Sequence, residues 1–349
     1  YASVGLQPIT LSRLLQICQP PLTRESLIEN AQYLCRERPV RYAKRLKLFQ
    51  RLPYIVGVNP HLNSIYQIYY KNFNDSKHFP MVESLSDQRE FIQMLARQSE
   101  SLRDIMPAVA RGFYESRRYI STPDRCAFLD ELIKMRIGLR LLTSQHLALY
   151  HQFRATAKGT YDEETDHGRF QGIVDNRMKL AHMVRLCAQG VQAMCDMAYG
   201  EAPTFTIDGQ TNLTFRYIPS HLEYMLVELL KNAFRSTVQN SKGGEIPPVQ
   251  ITISKGSSRV AIRIRDFGGG IPHEIQSKVF EYSFTTVKHS SVDGSQDDVT
   301  MRNVAAGQSS IAGLGFGLPM TKIYAEFFGG SLNVISLDGY GCDAFLELP

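Results

Sequence analysis

The chain has 349 residues and a formal net charge of +5, with 21% charged and 43% hydrophobic residues. These values are typical of a globular protein that is long enough for two domains, each with its own core. The basic residues form no block of five or more and no apolar run reaches 18 residues, so we expect neither nucleic-acid binding nor a membrane span. The six cysteines show no C-x-x-C spacing, which indicates free thiols in a reducing compartment.

Residues 1–155 carry the pattern of amphipathic helices. Between Leu62 and Phe73 the apolar residues recur every three or four positions, and similar stripes cover residues 90–119 and 125–150. Several long helices with short connections predict an antiparallel helical bundle. Residues 153–172 are polar and glycine-punctuated, which indicates a domain boundary or a loop.

From residue 172 to residue 349 the pattern changes to alternating helices and strands. Strands are predicted near residues 204–207, 214–217, 249–254, 259–265, 331–336 and 344–348. Helices are predicted near residues 179–199 and 318–328, and a further helix starts at residue 219 and contains Glu228. Helices on one face of a mixed sheet form an α/β sandwich. The predicted fold class is therefore α+β, with a helical bundle followed by an α/β sandwich.

The segment ELLKNAFR, residues 228–235, places three polar side chains on one helix face. Glu228, Asn232 and Arg235 follow the i, i+4, i+7 spacing of such a face. The Asn232 carboxamide is a suitable Mg²⁺ ligand, and the Glu228 carboxylate one turn earlier is free to take up a proton. Arg235 is a candidate partner for phosphates. Lys231 is expected to lie off this face, either as a surface residue or with a role toward phosphate or substrate.

The segment DFGGG, residues 266–270, follows an alternating strand. Asp266 is therefore expected at the end of that strand, where it accepts a hydrogen bond from an adenine amino group. Gly268 and Gly270 allow the backbone to turn sharply and to approach a ligand closely. An ordinary protein-kinase DFG motif is excluded, since no H-R-D loop and no V-A-I-K strand precede it.

The segment GLGFGLP, residues 313–319, opens a predicted helix. Gly313, Gly315, Gly317 and Leu318 offer backbone N–H groups and a positive dipole end to phosphates. Residues 288–312, just before it, are rich in Ser, Asp and Gly and show no periodicity. Their position predicts a lid over bound ATP.

In this order, the three segments resemble the ATP-binding domain shared by gyrase, Hsp90, histidine kinases and MutL, the GHKL superfamily. Longer stretches resemble the mitochondrial 2-oxo-acid dehydrogenase kinases: RYIPSHLEYMLVELLKNAFRSTV, GLGFGLPMTKIYAE, GYGCDA, RPVRYAKRLKLFQRLPYIVGVNP, RIGLRLLTSQHLAL and FTT at Phe284, Thr285 and Thr286. The similarity covers nearly the whole chain. YGEAPTFTIDG and FFGGSLNVISLDG are closer to the branched-chain member than to animal pyruvate dehydrogenase kinases.

The resemblance implies a protein serine kinase that inactivates a mitochondrial 2-oxo-acid dehydrogenase complex, branched-chain or pyruvate, by phosphorylating its E1 α subunit. It implies ATP and Mg²⁺ as cofactors, with Glu228 as the catalytic base and with Thr285, Thr286 and Cys342 near the nucleotide. It also implies a potassium ion held by backbone carbonyls near Val279, Glu281, Phe284 and Gly315. Finally, it implies docking of the helical domain on the E2 lipoyl domain, a homodimer formed through the nucleotide-domain sheet, and a location in the mitochondrial matrix.

The chain departs from the family pattern at three positions. Phe267 stands where the family usually has Arg, Cys342 where a Thr contacts adenine, and Leu102 where a regulatory His is usual. These departures predict the loss of one cation and one hydroxyl near the nucleotide. None of them removes the metal ligand or the base, so the kinase is expected to be active.

Two other functions fit an ATP domain of this kind. One is a two-component protein-histidine kinase, and the other is an ATP-driven clamp without transferase activity. A receptive histidine should be exposed and closely followed by an acidic residue, whereas His146 and His182 both lie in apolar stripes of helices. A clamp needs further domains that couple ATP to movement.

Overall fold

A computed structural model describes residues 1–17, 22–157, 169–241, 244–282 and 315–349. The chain divides after Val174 into two compact units. The predicted lid at residues 288–312 lies outside the described residues, as do Phe284, Thr285, Thr286 and Gly313. Within the described parts, no helix combines the length and the apolar composition that crossing a membrane requires.

The first unit is helical, as its apolar periodicity predicts. Its helices are α1 (Leu11–Gln16), α2 (Arg24–Gln50), α3 (Tyr54–Gly57), α4 (Pro60–His78), α5 (Leu85–Ser101), α6 (Ile105–Glu115) and α7 (Thr122–Ala157), followed by a short strand β1 (Phe170–Gln171). Side-chain caps define several helix starts: Thr23 forms a capping box with Ser26, and Asn59 accepts from two N–H groups of α4.

The long helix α2 forms the centre of the bundle, where it packs against α4, α5 and α7. A three-residue connection to α3 and a short step to α4 reverse the chain, so α2 and α4 lie antiparallel. Their contact includes the rings of Phe49 and Tyr69, whose centroids are 5.8 Å apart.

The second unit contains the predicted mixture of helices and strands. Its elements are β2 (Val174–Lys179), α8 (Leu180–Tyr199), β3 (Phe205–Gly209), β4 (Thr214–Tyr217), α9 (Pro219–Ser241), β5 (Val249–Lys255), β6 (Val260–Arg265), α10 (His273–Gln276), α11 (Gly317–Phe327), β7 (Ser331–Leu337) and β8 (Gly341–Leu348). Five strands form one sheet in the order β3-β5-β6-β8-β7, in which β3 and β5 are parallel and the other pairs antiparallel.

One face of this sheet is buried under helices. Along β5 and β6 every second residue is buried, including Ile251, Ile253, Ile262 and Ile264, and α9 packs on both strands. Helices α8 and α11 flank α9 and contact the outer strands β3 and β7. The predicted fold class, a helical part followed by an α/β sandwich, is confirmed.

Candidate active site

A cavity of about 460 Å³ lies in the second unit, between α9, the start of α11 and the sheet. Its size is within the range of small-molecule sites, roughly 300–1,000 Å³. The residues that line it include eleven of those singled out in the sequence: Glu228, Asn232, Arg235, Asp266, Gly268, Gly270, Val279, Gly315, Gly317, Leu318 and Cys342. The fold thus brings the three motifs to one site.

Helix α9 contributes a continuous polar face to this cavity. Beyond the predicted Glu228, Asn232 and Arg235, the lining continues with Ser236 and Gln239. Motif spacing did not single out the last two. Extending the same helix face to i+8 and i+11 from Glu228 is the signal that identifies them.

Lys231 was expected off this face and is instead part of the site. Its Nζ lies 2.7 Å from Oε1 of Glu228, and both side chains line the cavity. Only 12% of the Lys231 side chain and 20% of the Glu228 side chain are exposed. Residues three positions apart are neighbours on a helix surface, so the spacing of Glu228 and Lys231 in the sequence is sufficient to predict this ion pair.

The start of α11 lies directly against Glu228. A Cβ at Gly317 would lie 2.3 Å from Oε2 of Glu228, so a larger residue there would displace the carboxylate from this position. At the start of this helix, the backbone N–H of Met320 donates to the carbonyl of Phe316 at 3.0 Å. The N–H groups of Gly317 and Leu318 therefore have no intrahelical acceptor, and an anion in the cavity can use them.

Asp266 lies at the end of β6, as predicted, with its carboxylate held by the backbone. Oδ1 accepts from the N–H of Gly268 at 2.8 Å and from the N–H of Cys342 at 3.2 Å. Burial raises the pKa of this carboxyl, and the two N–H groups and the Ser236 hydroxyl partly oppose that rise. The carboxylate is thus fixed in direction before any ligand arrives.

The turn after Asp266 depends on a glycine. Gly270 has φ +81°, and a Cβ there would lie 2.3 Å from the carbonyl oxygen of Leu337. Next to it, Asn240 donates to the carbonyl of Phe267 at 3.0 Å, which fixes the turn to the end of α9. These contacts fix the turn that lines the cavity next to Asp266.

The thiol of Cys342 faces the cavity beside Asp266. Burial, with a smaller contribution from the Asp266 charge, raises its pKa to about 11, so the group is a neutral thiol at pH 7. Phe267, the other departure near the nucleotide, is not among the described residues that line the cavity. Leu102 lies in the first unit, where its carbonyl accepts from Arg136 at 3.1 Å.

Arg235 brings a desolvated positive charge to the cavity. Burial lowers the pKa of its guanidinium, while Tyr199 and Glu228 oppose that shift. A cation in this position attracts a polyanion such as a nucleotide triphosphate.

The residues suggested for potassium are only partly described. Val279 and Gly315 line the cavity, whereas Glu281 is not among its lining residues and donates its N–H to the Lys278 carbonyl at 2.9 Å. Among the described residues no group of three or more His, Cys, Asp or Glu side chains is placed to hold a metal ion. A magnesium ion held by one carboxamide, phosphate oxygens and water needs no such group.

The two histidines considered as phospho-acceptors have opposite environments. His146 is fully buried between Asn30 and Gln88, each 3.0 Å from one ring nitrogen. A neutral imidazole donates from one ring nitrogen and accepts at the other, so one of the two amides donates to the ring and the other presents its oxygen. His182 was expected in an apolar stripe, but this was wrong, since its side chain is exposed on α8.

Two family models match the chain. The model described as mitochondrial branched-chain alpha-ketoacid dehydrogenase kinase matches residues 8–175. The model described as histidine kinase-, DNA gyrase B-, and HSP90-like ATPase matches residues 217–349, which contain all the cavity-lining residues named above.

Curated relatives match over almost the full length of the chain. The mitochondrial pyruvate dehydrogenase (acetyl-transferring) kinase of Arabidopsis thaliana is 29% identical, with 97% of this chain and 89% of the relative covered. Kinase 1 of Saccharomyces cerevisiae is 29% identical, with 100% and 85% covered, and human kinase isozyme 4 is 28% identical, with 99% and 84% covered. The chain therefore belongs to the mitochondrial 2-oxo-acid dehydrogenase kinases, a family of ATP-dependent protein kinases within the GHKL superfamily.

Proposed function

We propose that the protein is a serine kinase that phosphorylates and inactivates the E1 α subunit of a mitochondrial 2-oxo-acid dehydrogenase complex. The observation that carries this proposal is the cavity that unites Glu228, Asn232 and Asp266. It combines a proton acceptor, a metal ligand and a carboxylate suited to adenine in one site. The relatives' names support the substrate class.

The cavity is arranged for a nucleotide that lies along α9. Asp266 would hold the adenine amino group at one end, and the N–H groups of Gly317 and Leu318 would hold phosphates at the other. Asn232 and Arg235, between these ends, would hold Mg²⁺ and phosphate oxygens respectively. When bound, Mg·ATP supplies the phosphoryl group and a divalent charge that neutralises the phosphates.

Glu228 is the proposed base. Phosphoryl transfer needs little covalent work from the protein, so the residues mainly position the reactants and accept one proton. The carboxylate lies at the phosphate end of the cavity, against the first residue of α11. From there it would take the proton of an incoming serine hydroxyl.

The partners are inferred from the family. We assign residues 1–155 to docking on the E2 lipoyl domain and residues 172–349 to catalysis, with a lid at residues 288–312 over ATP. A potassium ion near Val279, Glu281, Phe284 and Gly315, a homodimer formed through the nucleotide-domain sheet and a location in the mitochondrial matrix complete the proposal. The names of the relatives include the word mitochondrial, which supports the organelle.

The choice of dehydrogenase complex is the point for experiment, because the matching family model names the branched-chain enzyme and the relatives are pyruvate dehydrogenase kinases. The protein should be incubated with [γ-³²P]ATP and purified branched-chain or pyruvate E1, each with its E2. We expect label on serine of one E1 α subunit and loss of that E1 activity. The Glu228→Gln variant is the matched control, in which labelling should fall. Label on neither E1, from protein that binds ATP, would contradict the proposal.

A further inference from the structure

The ion pair between Lys231 and Glu228 occupies the catalytic end of the cavity. Nζ and Oε1 are 2.7 Å apart, and both side chains are mostly shielded from water. Their separation is that of a charge-assisted hydrogen bond. In this arrangement, Lys231 holds the oxygen that a base must present to its substrate.

The second oxygen of Glu228 lies against the first residue of α11. Oε2 points at Gly317, where even a methyl group would lie 2.3 Å away. A serine hydroxyl that approached Glu228 would therefore compete with Lys231 for Oε1. For Glu228 to accept the proton, the lysine has to find another anion.

The cavity offers one such anion only when a nucleotide is bound. Among the described residues that line it, Asp266 is the other carboxylate, and its Oδ1 is held by two backbone N–H groups. Phosphates bound at the start of α11 would lie next to Glu228, within reach of a flexible lysine side chain.

We infer that Lys231 exchanges partners: it pairs with Glu228 in the free enzyme and with the terminal phosphate of ATP in the complex. The exchange frees Oε1 of Glu228 when the phosphoryl donor is in place. Without nucleotide, the base remains covered. This inference rests on the proposed function, because it assumes that ATP occupies the cavity.

The test compares the affinities of Mg·ATP and Mg·ADP by isothermal titration calorimetry. Lys231→Met should weaken Mg·ATP binding by about 10- to 100-fold, the range expected for one lost hydrogen bond to a charged group. Mg·ADP binding, which lacks the terminal phosphate, should change by less than about threefold. Lys231→Arg should retain most of the preference for ATP. Lys322→Met, which removes an exposed lysine of α11, is the matched control and should change neither affinity.

A double-mutant cycle gives a second readout. It compares the thermal midpoints of the wild type, Lys231→Met, Glu228→Gln and the double variant. The effects of the two substitutions on the midpoint should be non-additive without nucleotide and additive with saturating Mg·ATP. Equal losses of ATP and ADP affinity, or no loss of either, would overturn the inference. So would non-additivity that persists with ATP. Because these readouts measure nucleotide affinity and thermal stability without any E1, a result that supports the exchange together with no labelling of E1 would contradict only the proposed function.

Discussion

The backbone N–H of Cys342 on β8 lies 3.2 Å from Oδ1 of Asp266 at the end of β6 and donates to it. The two residues are joined again by the bond from the Asp266 N–H to the Cys342 carbonyl at 2.9 Å. The strand pairing thus places the Cys342 side chain beside the carboxylate proposed to hold adenine.

Cys342→Thr is expected to strengthen ATP binding. A thiol is a poor donor and acceptor, whereas a threonine hydroxyl beside Asp266 supplies one more hydrogen bond, worth about 0.5–1.5 kcal/mol. Titration calorimetry should show this gain for ATP and a smaller one for GTP, whose base lacks the matching amino group. Equal or weaker ATP binding, with a lower melting temperature, would mean that Cys342 only fills space.

Asn232→Ala should abolish Mg·ATP binding and leave the fold intact. The residue lies on the cavity face of α9 and alanine favours helices, so the substitution removes a ligand at no cost to the helix. Calorimetry should detect no Mg·ATP binding, while circular dichroism should match that of the wild type. Asn333→Ala on the exposed side of β7 is the control. Near-normal affinity in the Asn232 variant would remove this residue from the metal site.

Glu228→Gln should separate binding from catalysis. The amide keeps the shape of the side chain but accepts no proton, so phosphorylation should fall by roughly 10²- to 10⁴-fold while ATP still binds. The initial rate of E1 labelling at saturating ATP measures the change. Glu223→Gln, an exposed neutralisation earlier on α9, should leave the rate unchanged. Normal turnover in the Glu228 variant would place the base elsewhere.

His146 should make the stability of the protein depend on pH. Burial, with a smaller contribution from Arg38, lowers its pKa from 6.5 to about 3. Between these values the unfolded chain binds a proton that the folded chain does not, so stability is complete above about pH 6.5 and falls as the pH decreases. The slope from this group is about 1.4 kcal/mol per pH unit.

The contribution of His146 is isolated by comparing variants. The unfolding free energy of His146→Gln should be measured with urea between pH 7 and pH 5. Its slope against pH should be smaller than that of the wild type by about 1.4 kcal/mol per pH unit, which corresponds to one proton. His182→Gln, which removes a histidine from an exposed position of α8, is the matched control. Equal slopes in the wild type and the His146 variant would mean that His146 is protonated in the folded protein.

The sequence alone determined which residues share a helix face and where strands end. Glu228 and Asn232 line one cavity because α9 has the ordinary helical period, and Asp266 ends β6 where the alternation of apolar residues stops. Such features depend on near neighbours in the chain. The helix α11 begins one residue from its predicted start for the same reason.

Only the tertiary structure decided which partners these residues have. Asp266 meets Cys342 because β6 pairs with β8, and no local pattern fixes that pairing across 76 residues. His146 and His182 both lie on helices with apolar neighbours, yet the first is enclosed by α2 and α5 and the second faces solvent. Likewise, Gly317 limits Glu228 because α11 packs against α9. Burial and hydrogen bonding between distant segments depend on how helices and strands pack against each other. The apolar periodicity of a single helix or strand gives no information about that packing.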